Sequence, residues 1–304
     1  MRGGLRGMKL STSDKALSIT IHILLTLLGF LAFYPFWNAA VISFNEGLDT
    51  VKGGITFWPR RFSLENYEVV FRDSRLLQGF MITIARTVIA TTGATLFTAL
   101  LAHGMTKRHL IGRKFYMIFC IVTMYFSGGL IPTFLLIREL HLMDTFWVMV
   151  IPGLISVWNM IIFRTFFMGL PAGLEESAQI DGSSNWGIFF RIVLPLSGPV
   201  IATLSLFTAI YNWNDWFAPS IYINDVNLLP IQTKLQQILN SNIMSEQMAQ
   251  LDSAAKGHMS RMKTVTTKSL SMATMMVATV PILCVYPFVQ KYFVKGVLVG
   301  SLKE

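Results

Sequence analysis

Residues Pro171–Pro199 read PAGLEESAQIDGSSNWGIFFRIVLPLSGP, a polar, acidic, glycine-containing stretch between two runs apolar enough to cross a bilayer. Pro171 ends the helix before it, because its ring and missing N–H cannot continue one. Leu174–Ile180 reads as a short helix, with Glu175 and Glu176 in its first turns, where the helix dipole favours negative charge. Asp181-Gly182 is a turn pair, and Gly182 is free to take a positive φ. Ser183 or Ser184 can cap a second short helix carrying Trp186, Phe189 and Phe190. Ile192-Val193-Leu194-Pro195 then enters the next apolar run, with Pro195 tolerated in the first turns of a helix. The stretch is a helix–turn–helix parallel to the membrane, with an acidic, small-residue face open to a partner. Connections of this length inside a compact protein are usually functional, so this one is read as a docking element.

Around it, 53% of the 304 residues are hydrophobic and only 13% are charged, with a mean hydropathy of +0.55. A soluble domain carries about 25% charged residues, so lipid is the implied solvent. Runs free of Asp, Glu, Lys and Arg are Ala16–Asn45, Thr87–Met105, Phe115–Ile137, Thr145–Phe163, Ile192–Asn214 and Ser269–Gln290. Each reaches the ~20 residues a helix needs to cross the hydrocarbon core. Only helices or closed barrels satisfy the backbone there, and these runs are too long and continuous for barrel strands. The fold class is an all-α membrane protein with six transmembrane helices. The spans are set at 16–44, 77–105, 115–137, 145–168, 192–214 and 269–290, the second carrying Arg86. The first run is about twice the length of a cleaved signal core and holds His22, Pro35 and Trp37, so it reads as a retained helix.

Orientation follows from the basic residues. The connection Lys107–Lys114 holds Lys107, Arg108, Arg113 and Lys114 and no acid, which places it in the cytosol. With it go the N-terminus (1–15), the loop 169–191 and the tail 291–304, so both termini are predicted to be cytosolic. The net charge of +9 is spread between apolar runs rather than gathered into one patch, so no nucleic-acid partner is implied. Cys120 and Cys284 both lie within apolar runs and read as buried small hydrophobes, not as a disulfide framework.

Two outer segments are long. In 46–76, Ser63 can cap a short amphipathic helix with Tyr67, Val70 and Phe71 on one face. The other, 215–268, follows Tyr211-Asn212-Trp213-Asn214-Asp215-Trp216. This cluster sets aromatic faces beside amides and a carboxylate, the groups that bind a polar solute, so Asn212, Asn214, Asp215 and Trp216 are candidates to line a substrate pathway. Interfacial anchoring explains the tryptophans, including Trp147, equally well. Trp158, in mid-span, is read as packing against a neighbouring helix, and Arg86 as a side chain snorkelling to the outer interface.

The segment Glu176-Ser177-Ala178, three residues, Gly182, nine residues, then Ile192-Val193-Leu194-Pro195 resembles the cytosolic motif of permease subunits of ABC importers. That motif runs Glu-Ala-Ala, three residues, Gly, nine residues, Ile-x-Leu-Pro; the one departure is Ser177 for Ala. Leu174-Glu175, Asn214–Pro219, Tyr286-Pro287-Phe288 and Lys295-Gly296 extend the similarity toward the carbohydrate branch. There the maltose-type inner permeases, and closer still the complex-saccharide permeases of Gram-positive bacteria, are the nearest in pattern. The resemblance implies a type I importer permease in a bacterial cell membrane that moves a saccharide, read here as one longer than a disaccharide. Its partners would be a second, non-identical permease, two copies of an ATP-binding subunit and an extracellular solute-binding protein. Glu176, Ser177, Ala178, Asp181, Gly182, Ile192, Leu194 and Pro195 would form the coupling element. Glu176 would bond to the ATPase, Ser177 and Ala178 would permit close approach, and Gly182 would shape the turn.

The chain has no Gly-x4-Gly-Lys-Ser/Thr loop, so ATP and its Mg²⁺ would be bound by the partner ATPase and no cofactor by this chain. The absence of His-Glu-x-x-His, of Gly-x-Ser-x-Gly and of paired carboxylates in a span argues against a membrane enzyme and against a metal site. An importer of a non-sugar solute and a secondary transporter stand as alternatives, though the latter has no use for the 171–195 loop.

Overall fold

Three of the six predicted runs fold as single long helices, and three are broken. The computed structural model describes residues 12–251 and 266–301; the predicted N-terminal segment, part of the 215–268 connection and the end of the tail lie outside the described residues. The unbroken helices are α1 (Thr12–Ser43), α2 (Ser74–Gly104) and a last helix, Thr267–Ser301. Bent pairs make up the rest: Arg113–Tyr125 with Leu130–Glu139, Phe146–Gly153 with Val157–Met168, and Asn185–Leu196 with Gly198–Asn214. Six spans result when each bent pair counts as one. Among the described residues there is no β-strand, only an isolated bridge between Asn45 and Phe62.

The breaks have local causes. The predicted span 115–137 turns by 113° at residues 126–129. Gly129 sits there at φ +84°, and Pro132, three residues into the next helix, has no N–H to continue a preceding one. Span 145–168 opens with two short 3₁₀ turns around Pro152 and bends by 46° before Val157–Met168. Span 192–214 bends by 83°, at Ser197 between Pro195 and Pro199. Just before it, Phe189–Val193 widens to a π-helix; Pro195 offers no N–H to the Arg191 carbonyl, and the wider turn keeps its ring clear. The predicted tail is not separate either: its described residues continue the last helix to Ser301.

The described residues fall into two compact units. In one, covering residues 12–70 and parts of 245–276, the end of α1 carries a polar knot. Asn66 donates to the Ser43 and Asn45 carbonyls, and Arg60 pairs with Asp49 at 3.0 Å. Burial pushes the Asp49 carboxyl up, but the Asn45 hydrogen bond and the charges of Arg60 and Lys52 outweigh it and hold it below the usual range. Ser63 accepts from the Glu65 N–H and opens the helix Glu65–Arg72. Its buried face is Asn66 and Val70; Phe71, predicted on that face, is exposed.

The second unit, residues 71–244 and 277–301, is built on α2. Asp73 caps its start, and Arg86, Ala90, Ala94, Thr98 and Ala102, each one turn apart, are buried along one side. Small residues at this spacing let helices approach closely. Thr95 and Ser205 meet across the contact with Gly198–Asn214 at 2.9 Å. Trp158, predicted to pack against a neighbour, is 64% exposed on this chain.

Candidate functional site

The stretch quoted first folds as a bracket on the C-terminal end of α2. We number its first helix, Ala172–Ile180, α3, and the long helix after the bend, Gly198–Asn214, α4. α3 starts directly after Pro171. It ends in a left-handed glycine: Gly182 has φ +78°, its N–H donates to the Gln179 carbonyl at 3.0 Å, and Ser183 N–H donates to the Ala178 carbonyl at 2.9 Å. This pair of bonds is the Schellman motif, which needs a residue free of Cβ strain. Of the two serines offered as caps, Ser184 takes the role, accepting from the Gly187 N–H at 3.2 Å to open Asn185–Ile188.

One side of the bracket is embedded in the chain's own core. Ala178, Ile188, Phe189 and Val193 are buried among Ala99, Ala102, Met105, Met160, Phe163, Phe167 and Leu204. Ile192 and Leu194 pack partly against the same cluster, while Pro195 is exposed. The small side chain at 178 therefore faces this chain's own core. The opposite side is free of it: Glu176, Ser177 and Asp181 are exposed, Ile180 is 87% exposed and Trp186 60%. Trp186 stacks on Phe190 with centroids 6.2 Å apart. An outward ridge of two carboxylates, a small residue and two large apolar ones stands on a fixed base.

Glu175 does something different from Glu176. It reaches sideways to Lys107 Nζ at 2.5 Å, and its other oxygen lies 3.9 Å from His103 Nδ1. The backbone two residues before Lys107 is held, because Arg164 Nε donates to the Met105 carbonyl at 3.2 Å.

The second group of candidates sits at the far end of α4. Asn212 is buried and donates to the Thr208 carbonyl; Asn214 is exposed and donates to the Ile210 carbonyl. Asp215 ends α4 and uses both carboxylate oxygens within the chain. Oδ2 pairs with Arg86, and Oδ1 accepts from the Phe217 and Ala218 N–H groups at 3.1 and 3.2 Å, capping Phe217–Tyr222. Trp216 is 41% exposed. Arg86 does not snorkel: it is 2% exposed and also donates to the Asp215 carbonyl at 2.9 Å.

The sequence pattern of the family described as "Binding-protein-dependent transport system inner membrane component" matches residues 94–299, a range that takes in the whole bracket. The chain belongs to this family. It is thus a membrane component of a binding-protein-dependent transport system, and not an enzyme. Among similar proteins, the polygalacturonan/rhamnogalacturonan transport system permease protein YtcP of Bacillus subtilis (strain 168) is 39% identical, over 95% of this chain and 99% of that one. Protein LplC of the same organism is 39% identical over 90% of each chain. The arabinooligosaccharides transport system permease protein AraQ of Halalkalibacterium halodurans is 26% identical over 97% of this chain and all of its own. A solved structure of a bacterial ABC transporter involved in the import of the acidic polysaccharide alginate matches with a TM-score of 0.84 and 26% identity, covering 94% of this chain and 100% of that one.

In this permease, the long-range contacts that sequence reading missed include Arg86 with Asp215, Lys107 with Glu175, and the Ile231 N–H on Thr83 Oγ1 at 2.9 Å. An arginine inside an apolar run and an aspartate at the end of another were a usable signal for the first, since such groups pair when buried. Lys107 was read only for orientation.

Proposed function

We propose that this permease subunit moves an oligosaccharide inward across the bacterial cell membrane. Transport is driven by ATP hydrolysis in a separate subunit that grips the 171–195 bracket. The observation that carries this reading is the two-sided bracket: Ala178, Ile188, Phe189 and Val193 root it in the core, while Glu176, Ser177 and Asp181 stay outward. A force-transmitting element needs a rigid root and a free, chemically specific ridge. Glu176 then bonds the ATPase, Ser177, Ile180 and Trp186 fill its groove, and Gly182 fixes the angle. The bracket, the basic loop containing Lys107 and both termini lie in the cytosol, with the 215–268 connection outside. A companion permease, two ATP-binding subunits carrying ATP and Mg²⁺, and an extracellular solute-binding protein complete the complex.

For the cargo, two of the similar proteins are named for uronate-containing polymers, polygalacturonan/rhamnogalacturonan and alginate, and a third for arabinooligosaccharides. Short uronate oligomers are therefore the first substrates to try. Within the pathway, Asn214 and Trp216 keep exposed surface for a sugar, while Asn212 and Asp215 shape the wall from within the chain. The test is uptake of labelled trigalacturonate by cells with and without this chain, under ATP depletion and under a protonophore with ATP maintained. Loss on deletion and on ATP depletion, with little response to the protonophore, supports the reading. Uptake that follows the proton gradient overturns it.

A further inference from the structure

Glu175 lies between two partners of opposite character. Lys107 already holds one carboxylate oxygen, in a pair about 30% open to solvent, with side-chain exposures of 28% and 31%. The other oxygen stands 3.9 Å from His103 Nδ1, outside hydrogen-bond reach. His103 is in the last turn of α2 with its side chain only 6% exposed. Its ring lies against Phe167 and Phe189, with centroids 6.3 and 5.3 Å away, and neither ring nitrogen has a hydrogen-bond partner among the described residues. Buried polar groups are normally satisfied, and one left unsatisfied is costly. Hydrophobic packing alone would be served as well by phenylalanine at this position. A histidine there makes sense if a partner comes to it.

The nearest carboxylate is on the element to which, on the reading above, the ATP-binding subunits apply their force. Resting on that reading, we propose that Glu175 is a positioning residue with two seats. Lys107 holds it in the arrangement seen here, and His103 receives it when closure of the ATP-binding subunits draws α3 across the end of α2. A movement of about 1 Å brings 3.9 Å down to the length of an ordinary N–H···O bond. The imidazole then donates from Nδ1 in the tautomer protonated there. Lys107 is suited to releasing its partner, because a half-exposed pair is easily replaced by water. Its own base does not follow, since Arg164 ties down the Met105 carbonyl. The two seats give α3 two discrete positions rather than a continuum, which is what a switching element requires.

The test uses the complete transporter in nanodiscs, assayed by phosphate release with and without the solute-binding protein and normalised to co-purified ATP-binding subunit. Lys107→Met removes the first seat and raises hydrolysis without the binding protein roughly fivefold or more. His103→Phe removes the second seat while keeping an aromatic ring against Phe167 and Phe189, and lowers binding-protein-stimulated hydrolysis by a similar factor. The exchange Lys107→Glu with Glu175→Lys restores the low unstimulated rate but not the stimulated one, because a lysine at 175 cannot use His103 in the same way. Opposite signs for the two single variants are a signature that a merely structural pair does not produce. Equal losses in both, or no change in His103→Phe, overturn the two-seat arrangement while leaving the importer reading intact. If the unmodified chain retains no ATP-binding subunit through purification, the importer reading fails, and the two seats with it.

Discussion

Two charge pairs tie α2 and the turn just after it to segments far along the chain. Arg86 and Asp215 are separated by 129 residues in sequence, and Lys107 and Glu175 by 68. The first pair is deep: Arg86 is 2% exposed and the Asp215 side chain 11%, and the carboxylate also caps a helix. The second is about 30% open, and a third group, without a hydrogen bond, lies beside it. A buried pair with its remaining lone pairs engaged acts as a fixed joint, since separating the charges strands one of them in low dielectric. A half-exposed pair is an adjustable one, since water replaces either partner at little cost. One helix and the turn that follows it thus carry a joint built to stay and a joint built to move, the latter beside the element that meets the ATPase in the proposed mechanism.

The largest effect expected is on the deep joint. Asp215→Ala leaves a buried guanidinium without its carboxylate and removes the cap on Phe217–Tyr222, and should destabilise this unit by about 3–5 kcal/mol. Scanning fluorimetry of the purified complex would show it as a large fall in the unfolding midpoint, with less protein reaching the membrane. The double change Arg86→Met with Asp215→Leu should recover much of that loss, because an apolar pair carries no desolvation penalty. Equal losses in the single and double variants would mean that capping, and not charge burial, sets the role of Asp215.

Next come substitutions in the bracket, which separate stability from coupling. Gly182→Val puts a β-branched side chain at φ +78°, a backbone conformation costing such a residue on the order of 1–3 kcal/mol. The Schellman turn then opens and Glu176 loses its aim. Uptake should be abolished while the chain remains in the membrane, and Gly182→Asn, which tolerates the left-handed region, should retain a good part of it. Normal uptake by the valine variant would remove the turn from the mechanism. Ala178→Leu should cost about 1–3 kcal/mol by overpacking the core beneath α3, lowering uptake and thermal midpoint together. Ser177→Leu, on the exposed side, should lower uptake without moving the midpoint.

Much of this was legible in the sequence, and the reason it was is local. The turn at Gly182, a cap at one of Ser183 and Ser184, and the start of α2, read near residue 77 and found at Ser74, each depend on residues within one helical turn. The family motif was visible for the same reason, as fixed spacings over a short stretch. The breaks at residues 126–129 and at Ser197 were hidden because counting charge-free runs treats Gly128, Gly129, Pro195 and Pro199 as apolar filler, though their backbones decide the path. Ala178 was assigned to the partner-facing side because small size alone does not say which neighbour it admits; in this chain it is buried with the core cluster. The role of Glu175 was not legible, since Lys107 lies 68 residues away, and that of Asp215 was signalled only by the unplaced charge of Arg86, 129 residues away.

The smallest effect predicted bears most directly on the contrast between the joints. Lys107→Met breaks an ion pair whose partners are each nearly a third exposed. Such pairs are worth at most ~1 kcal/mol, and the liberated Glu175 carboxylate is close enough to solvent to be hydrated. The unfolding midpoint of the complex should therefore barely move, and raising salt should shrink even that difference, because exposed pairs are screened. The same substitution that leaves stability nearly untouched is the one expected to raise unstimulated ATP hydrolysis. A loss of stability approaching that of Asp215→Ala would instead make Lys107–Glu175 a second fixed joint, and a carboxylate fixed that firmly could not pass to His103.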